Sequence, residues 1–161
     1  MSRPDAVLFD LDDTLFDHRA AYAEARRAVP GARALLEILR PRVRLGIVSN
    51  NILAEQEVKL ARLGMRALID ALVVSAEEGV SKPDSAIFHS ALDRLGARPE
   101  RAVMVGDSWA TDIVGARRAG MRAVWFNRRG DPSPDPSMAI EITTLEPAET
   151  IASTILDGAR A

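Results

Sequence analysis

The chain has 161 residues, 47% of them hydrophobic and 27% charged, with a net charge of −2 and no cysteine. That length can bury one core of ordinary size, the near-neutral charge gives no electrostatic case for nucleic acid or an anionic membrane, and the missing thiols exclude disulfides and thiolate metal sites. No window approaches the roughly 18 apolar residues of a membrane span, and Asp5, Asp10, Asp12 and Asp13 interrupt the apolar stretch near the N-terminus, so no signal peptide and a cytoplasmic location are expected.

The first element in chain order is a strand, Ala6–Phe9, that stops on Asp10-Leu11-Asp12-Asp13-Thr14. Negative charge at the end of a buried strand must be compensated. On an extended chain Asp10 and Asp12 point the same way, an arrangement suited to a hard metal ion and a phosphoryl group. From Leu15 to Pro30 there is room for one helix, about Arg19 to Val29, which Asp17 could cap. A helix over Ala32–Leu39 then leads to a strand, Leu45–Val48, ending in Ser49-Asn50-Asn51. The spacing predicts a helix over Ile52–Leu63, a strand over Leu68–Val74 and, after Ser81-Lys82-Pro83-Asp84, a helix over Ser85–Leu95. Ile87, Ala91, Leu92 and Leu95 share one face of that helix.

The fourth strand, Ala102–Val105, ends in Gly106-Asp107-Ser108 with Asp112 beyond, and Thr111–Ala119 is the next helical pattern. Gly64, Gly96 and Gly120 stand just past helix ends, where a left-handed residue is wanted. Ala123–Phe126 is the fifth strand. Residues 127–138, rich in proline and glycine, form a loop. Ala139–Ile142 could add a short edge strand, and a last helix runs from Pro147 to about Leu156. Strand–helix alternation implies an α/β fold: a doubly wound, Rossmann-like parallel sheet with five core strands and helices on both faces, as a single domain over 1–161. In such sheets the ligand site lies beyond the carboxyl ends of the strands. There the polar residues collect.

Asp10-Leu11-Asp12-Asp13-Thr14, Ser49-Asn50, Lys82 and Gly106-Asp107 with Asp112, in this order, resemble the four motifs of the haloacid dehalogenase-like (HAD) phosphohydrolases, a likeness spanning roughly residues 6 to 130. The resemblance implies a strand order of 5-4-1-2-3 and a Mg²⁺-dependent phosphomonoester hydrolase. Asp10 would be the nucleophile, forming an aspartyl-phosphate that water hydrolyses. Its metal ligands would be Asp10, the main-chain carbonyl of Asp12 and Asp107. The side chain of Asp12 would be general acid, then base, and crowding by Asp10 should favour its protonated form. Ser49 and the main-chain amide of Asn50 would bind phosphate oxygens, and Lys82 would supply positive charge. Asp112 would act from behind the ligands and Thr14 would support Asp10. Haloacid dehalogenases lack an acid where Asp12 stands, so phosphate esters are favoured over halides. The absence of cysteine argues against the zinc-loop phosphatases.

Each residue also has a plainer reading. Asp13 is expected in a turn, Ser49 and the asparagines could cap a helix, and a lysine such as Lys82 is ordinarily solvated. His18 and His89 show no paired metal spacing and are expected to be structural or exposed. Arg128-Arg129 could meet an anionic substrate, although a solvated loop pair is the simpler expectation. Trp109 could line the pocket mouth or simply pack.

The nearest subfamily, suggested by Ser108–Ala116 and Trp125–Arg128, carries a helical cap between the first two motifs, including nucleotidases and phosphoglycolate-type phosphatases. Here that cap is missing or reduced to a stub at about 15–30. The expected substrate is a small phosphorylated metabolite such as a nucleotide or sugar phosphate. An open site also admits a macromolecular substrate, a homo-oligomer whose neighbouring subunit serves as lid, or a non-catalytic binding or regulatory protein. A response-regulator receiver domain fits less well, because its phospho-accepting aspartate ends a later strand.

Overall fold

The structure, a computed structural model, describes residues 3–18 and 27–158. Six strands form one parallel sheet: β1 (Ala6–Phe9), β2 (Arg44–Ser49), β3 (Ala71–Val74), β4 (Ala102–Gly106), β5 (Arg122–Phe126) and β6 (Ile140–Ile142), in the order β3-β2-β1-β4-β5-β6. The expected order of the five core strands is found, and Ile140–Ile142 adds a sixth that pairs parallel to β5.

The central strands are apolar on every residue because both faces are covered. Successive side chains alternate between faces. Val7 and Phe9 of β1 join one core with Leu35, Leu36, Ile47, Val105 and Ile155. Ala6 and Leu8 join the other with Phe88, Leu92, Met104 and Trp125. The first core is closed by α1 (Ala32–Leu39) and α6 (Ala148–Asp157), which pack on each other. In α1 the buried residues Ala32, Leu35, Leu36 and Leu39 follow helical spacing, so one stripe enters the core. The second core is closed by α4 (Ser85–Leu95) and α5 (Val114–Arg118). Asp84 caps α4 by accepting from the amide of Ala86, and Gly96 ends it at a φ of 60°. Both ends match the expected helix.

Boundaries elsewhere shift for physical reasons. The third strand starts at Ala71, because Arg66–Leu68 closes a short 3₁₀ turn first. A four-residue helix, α3 (Ser75–Glu78), follows β3 directly, and α2 occupies Leu53–Arg62. Before α5 the chain makes a wide π turn over Trp109–Ile113. The helix expected over Arg19–Val29 falls mainly on residues outside those described. Its last part is not helical: Ala28 bridges Phe16 in antiparallel fashion and the amide of Val29 donates to the carbonyl of Leu15.

The sheet order makes β1 the strand where the winding reverses, since β2 lies on one side and β4 on the other. A crevice opens there at the carboxyl ends. Asp10 stands at its edge, with its amide donating to Val105 of β4 at 3.0 Å. Among the described residues no helix is long and apolar enough to cross a membrane.

Candidate active site

A cleft of about 150 Å³ at these strand ends is lined by Asp10, Asp12, Ser49, Asn50, Lys82, Ser108, Thr111 and Asp112. Cleft size alone would mislead. A larger depression of about 570 Å³ lies at the opposite end of the sheet, around Asp5, Arg40, Arg42 and Arg44. There Arg40 is paired with Asp70, and Arg44 with the carbonyl of Leu95.

Lys82 is not solvated but buried between two carboxylates, its Nζ 2.6 Å from Asp10 Oδ1 and 2.7 Å from Asp112 Oδ1. Burial works against the ammonium charge, yet Asp10 and Asp112 together outweigh it and keep Lys82 protonated. The backbone before α4 is fixed by Asn50, whose Oδ1 accepts from Lys82 N at 2.7 Å and whose Nδ2 donates to Lys82 O at 2.9 Å. The Asn50 side chain therefore holds the lysine loop. Asp112 is fixed too, its Oδ2 accepting from Ser108 N at 3.0 Å. A side chain on Gly106 would stand 2.6 Å from the Cβ of Asp112, so only glycine leaves that carboxylate its place.

Asp10, Asp107 and Asp112 each offer a carboxylate oxygen within 4.8 Å of the others. Three carboxylates face one ammonium, so the cluster is short of positive charge. The consequence is visible in proton affinity. Burial, with Asp112 and Asp107 adding to it against the pull of Lys82, pushes Asp10 up to about 8. Burial together with Asp112 and Asp13 pushes Asp107 to about 6. A hard divalent cation fits this set of oxygens and would remove the surplus. Thr14, fully buried, reaches toward both Asp10 and Asp107 at 3.5 and 3.4 Å.

Asp12 differs from expectation. Burial would raise its proton affinity, but hydrogen bonds from Lys59, Gln56 and His18 outweigh it and hold the carboxyl below its usual range. Lys59 Nζ lies 2.7 Å and His18 Nε2 2.6 Å from Oδ1, and Gln56 Nε2 lies 2.9 Å from Oδ2. Crowding by Asp10 does not favour the protonated form, because donors surround the group.

The family-model comparison matches a haloacid dehalogenase-like hydrolase over residues 18–120. The chain belongs to this family. Among HAD-like relatives, pyrimidine 5′-nucleotidase YjjG of Escherichia coli is 40% identical over 117 residues, covering 71% of this chain and 52% of that protein. Glyceraldehyde 3-phosphate phosphatase of Methanothermobacter thermautotrophicus is 41% identical over 110 residues, covering 68% and 49%. The chain thus spans about half the length of the curated relatives it matches. A HAD phosphatase crystal structure from Thermococcus onnurineus superposes with a TM-score of 0.80 at 27% identity, covering all of both chains.

The HAD-like frame also sorts the remaining residues. Ser49 is not a helix cap. It is buried, and its Oγ accepts from Gln56 Nε2 at 2.6 Å. Asn51 instead binds the amide of Ile52, at the start of α2. Asp13 takes a positive φ of 61° and accepts from His18 N, the turn role expected of it. His89 is exposed. Arg128 is not a solvated loop residue, since it pairs with Asp17 at 3.0 Å over the ring of Phe126. Trp109 packs edge-on against Trp125 and lines, with Asp107, Ser108 and Arg129, a cavity of about 320 Å³ beside the cluster.

Sequence reasoning missed Gln56, Lys59 and His18. The signal was present in α2, where Gln56 and Lys59 fall on the same stripe as Leu60 and are buried with it. Polar residues on the apolar stripe of a helix next to a carboxylate cluster should have been counted with the site.

Proposed function

We propose that this chain is a Mg²⁺-dependent phosphatase acting on a small phosphorylated metabolite, with Asp10 as nucleophile. The observation that carries the reading is the buried Asp10–Lys82–Asp112 array beside Asp107. The names of the relatives support it: a nucleotidase and phosphatases.

In this reading one oxygen of Asp10 is oriented by Lys82, which leaves the other to attack phosphorus and displace the leaving oxygen. Lys82 offsets part of the burial that raises the proton affinity of Asp10 and draws the anionic phosphoryl group in, and a bound cation would complete the ionisation of the attacking carboxylate. Ser49, and the main-chain amide of Asn50, take phosphate oxygens at the end of β2. Asp12, whose donors favour the ionised form, takes a proton from the water that cleaves the acyl phosphate and passes that proton to the departing oxygen of the next ester. Asp10 and Asp107, with the carbonyl of Asp12, would hold the magnesium, Asp112 would orient it, and Thr14 would steady Asp10. Bound there, the ion supplies charge neutralisation between carboxylate and phosphate. A cap missing or reduced to a stub over about 15–30 would leave the site open, which bears on what leaving groups enter rather than on the chemistry.

Hydrolysis of 4-nitrophenyl phosphate with and without Mg²⁺ tests the reading, comparing wild type with Asp10→Asn. Turnover should need the metal and fall by at least about 10³-fold in the variant. Metal-independent turnover, an active variant, or no turnover of any phosphate ester would each overturn it.

A further inference from the structure

We propose that Gln56 is a positioning residue that sets the hydrogen-bond direction of Ser49 and the orientation of Asp12 at once. The inference rests on reading the cleft as a phosphatase site, and it adds a residue that none of the four motifs contains. Gln56 is fully buried on α2. Its Nε2 lies 2.6 Å from Ser49 Oγ and 2.9 Å from Asp12 Oδ2.

The direction of both bonds follows from chemistry. Asp12 takes the Lys59 ammonium on its other oxygen at 2.7 Å, and the Gln56 atom within bonding distance of both Asp12 Oδ2 and Ser49 Oγ is the amide nitrogen, not its oxygen. An amide nitrogen carries two hydrogens. One goes to Asp12 and the other to Ser49 Oγ. The hydroxyl, already accepting from Gln56, keeps its own proton to donate, and Ser49 lines the cleft with Asp10 and Lys82. A donor is what a phosphate oxygen requires.

The cost of this arrangement is visible. Gln56 Oε1 is buried with no hydrogen-bond partner. Turning the amide over would not relieve that cost, since it would set the oxygen against Asp12. A buried orphan carbonyl in a native core calls for an explanation. Here the amide is oriented for the two groups its nitrogen serves. Gln56 thereby couples the phosphate anchor on β2 to the acid–base group after β1.

The test uses Gln56→Met, which keeps the shape and removes both donors, and Gln56→Glu, which offers acceptors in their place. Three quantities are measured: melting temperature, kcat and KM for 4-nitrophenyl phosphate and an alkyl phosphate, and inhibition by inorganic phosphate. With Asp12 misplaced, kcat should fall about 10- to 100-fold for the alkyl ester and clearly less for the aryl ester, whose leaving group needs little acid. With Ser49 misdirected, the inhibition constant of phosphate should rise severalfold. The Glu variant should be the weaker enzyme of the two.

A folded Met variant with unchanged alkyl-ester kcat and phosphate inhibition would overturn the inference, as would equal losses on both esters. If the Met variant does not fold, a Glu variant with wild-type constants overturns it and one with the split losses supports it. An inactive wild type would take down the phosphatase reading itself, a result separable from these because no variant is involved.

Discussion

Lys82 holds two carboxylates in a place almost without water, and its own burial makes it indispensable to both. Lys82→Met should therefore abolish turnover and also destabilise the fold, by about 3–5 kcal/mol, because buried charges would be left unpaired. Chemical denaturation of the metal-free protein measures it, and a cost under about 1 kcal/mol would contradict the pairing. Gly106→Ala is a sharper probe. Its new methyl would occupy the space of Asp112, so activity should drop although no polar group is lost; calorimetry should show weakened Mg²⁺ binding. Wild-type metal affinity in that variant would mean Asp112 can move without consequence. At this scale the sequence was informative about which residues meet, because three of the motifs sit at strand ends and Lys82 stands in the loop that leads into α4. It was silent on partners. Whether Asp12 gains or loses proton affinity depends on Lys59 and Gln56, and that contact exists only once α2 is laid beside β1.

Helix packing carries the same site from behind. Gly115 of α5 sits against Phe88 of α4 and the backbone of Pro83, which follows Lys82; an added Cβ would stand 2.6 Å from the Phe88 ring and 3.0 Å from Pro83 Cα. Gly115→Ala should cost about 1–3 kcal/mol from overpacking and lower kcat by shifting the lysine loop. Thermal melting and steady-state rates read the two effects separately, and an undisturbed rate would show that the loop is held by Asn50 alone. Elements with clean periodicity, such as α4 and α1, were legible from spacing. The stretch Trp109–Ile113 was not, since a π turn has the composition of the helix it precedes. The start of β3 was misplaced for a related reason: Leu68 is apolar whether it ends a 3₁₀ turn or begins a strand.

Across the whole molecule, the sheet concentrates negative charge at one crevice, and pH should expose it. Folding raises Asp10 from 3.8 to about 8, so the stabilisation it brings is complete below about pH 4 and is lost as pH rises through 8. Asp107, raised to about 6, acts in the same direction over a lower range. Metal-free protein should therefore melt progressively lower between about pH 4 and 8, more steeply below pH 6 where both groups contribute. Mg²⁺, which competes with those protons, should raise the melting temperature more at pH 9 than at pH 6. A metal effect that shrinks with pH would contradict the assignment of the cluster. The strand order and the crevice were legible from strand–helix alternation and the HAD resemblance together. The short edge strand offered over Ala139–Ile142 is found at Ile140–Ile142, whereas the course of residues 27–29 was not legible, because so short a segment is placed by its neighbours.

The central claim is that Asp10 carries the phosphoryl group. Acid quenching during turnover of a ³²P-labelled phosphate ester, followed by peptide mapping, tests it directly. Label should appear on the peptide containing Asp10, as an adduct discharged by hydroxylamine, and should be absent from Asp10→Asn. Turnover with no label on that peptide, or label on another residue, would contradict the account.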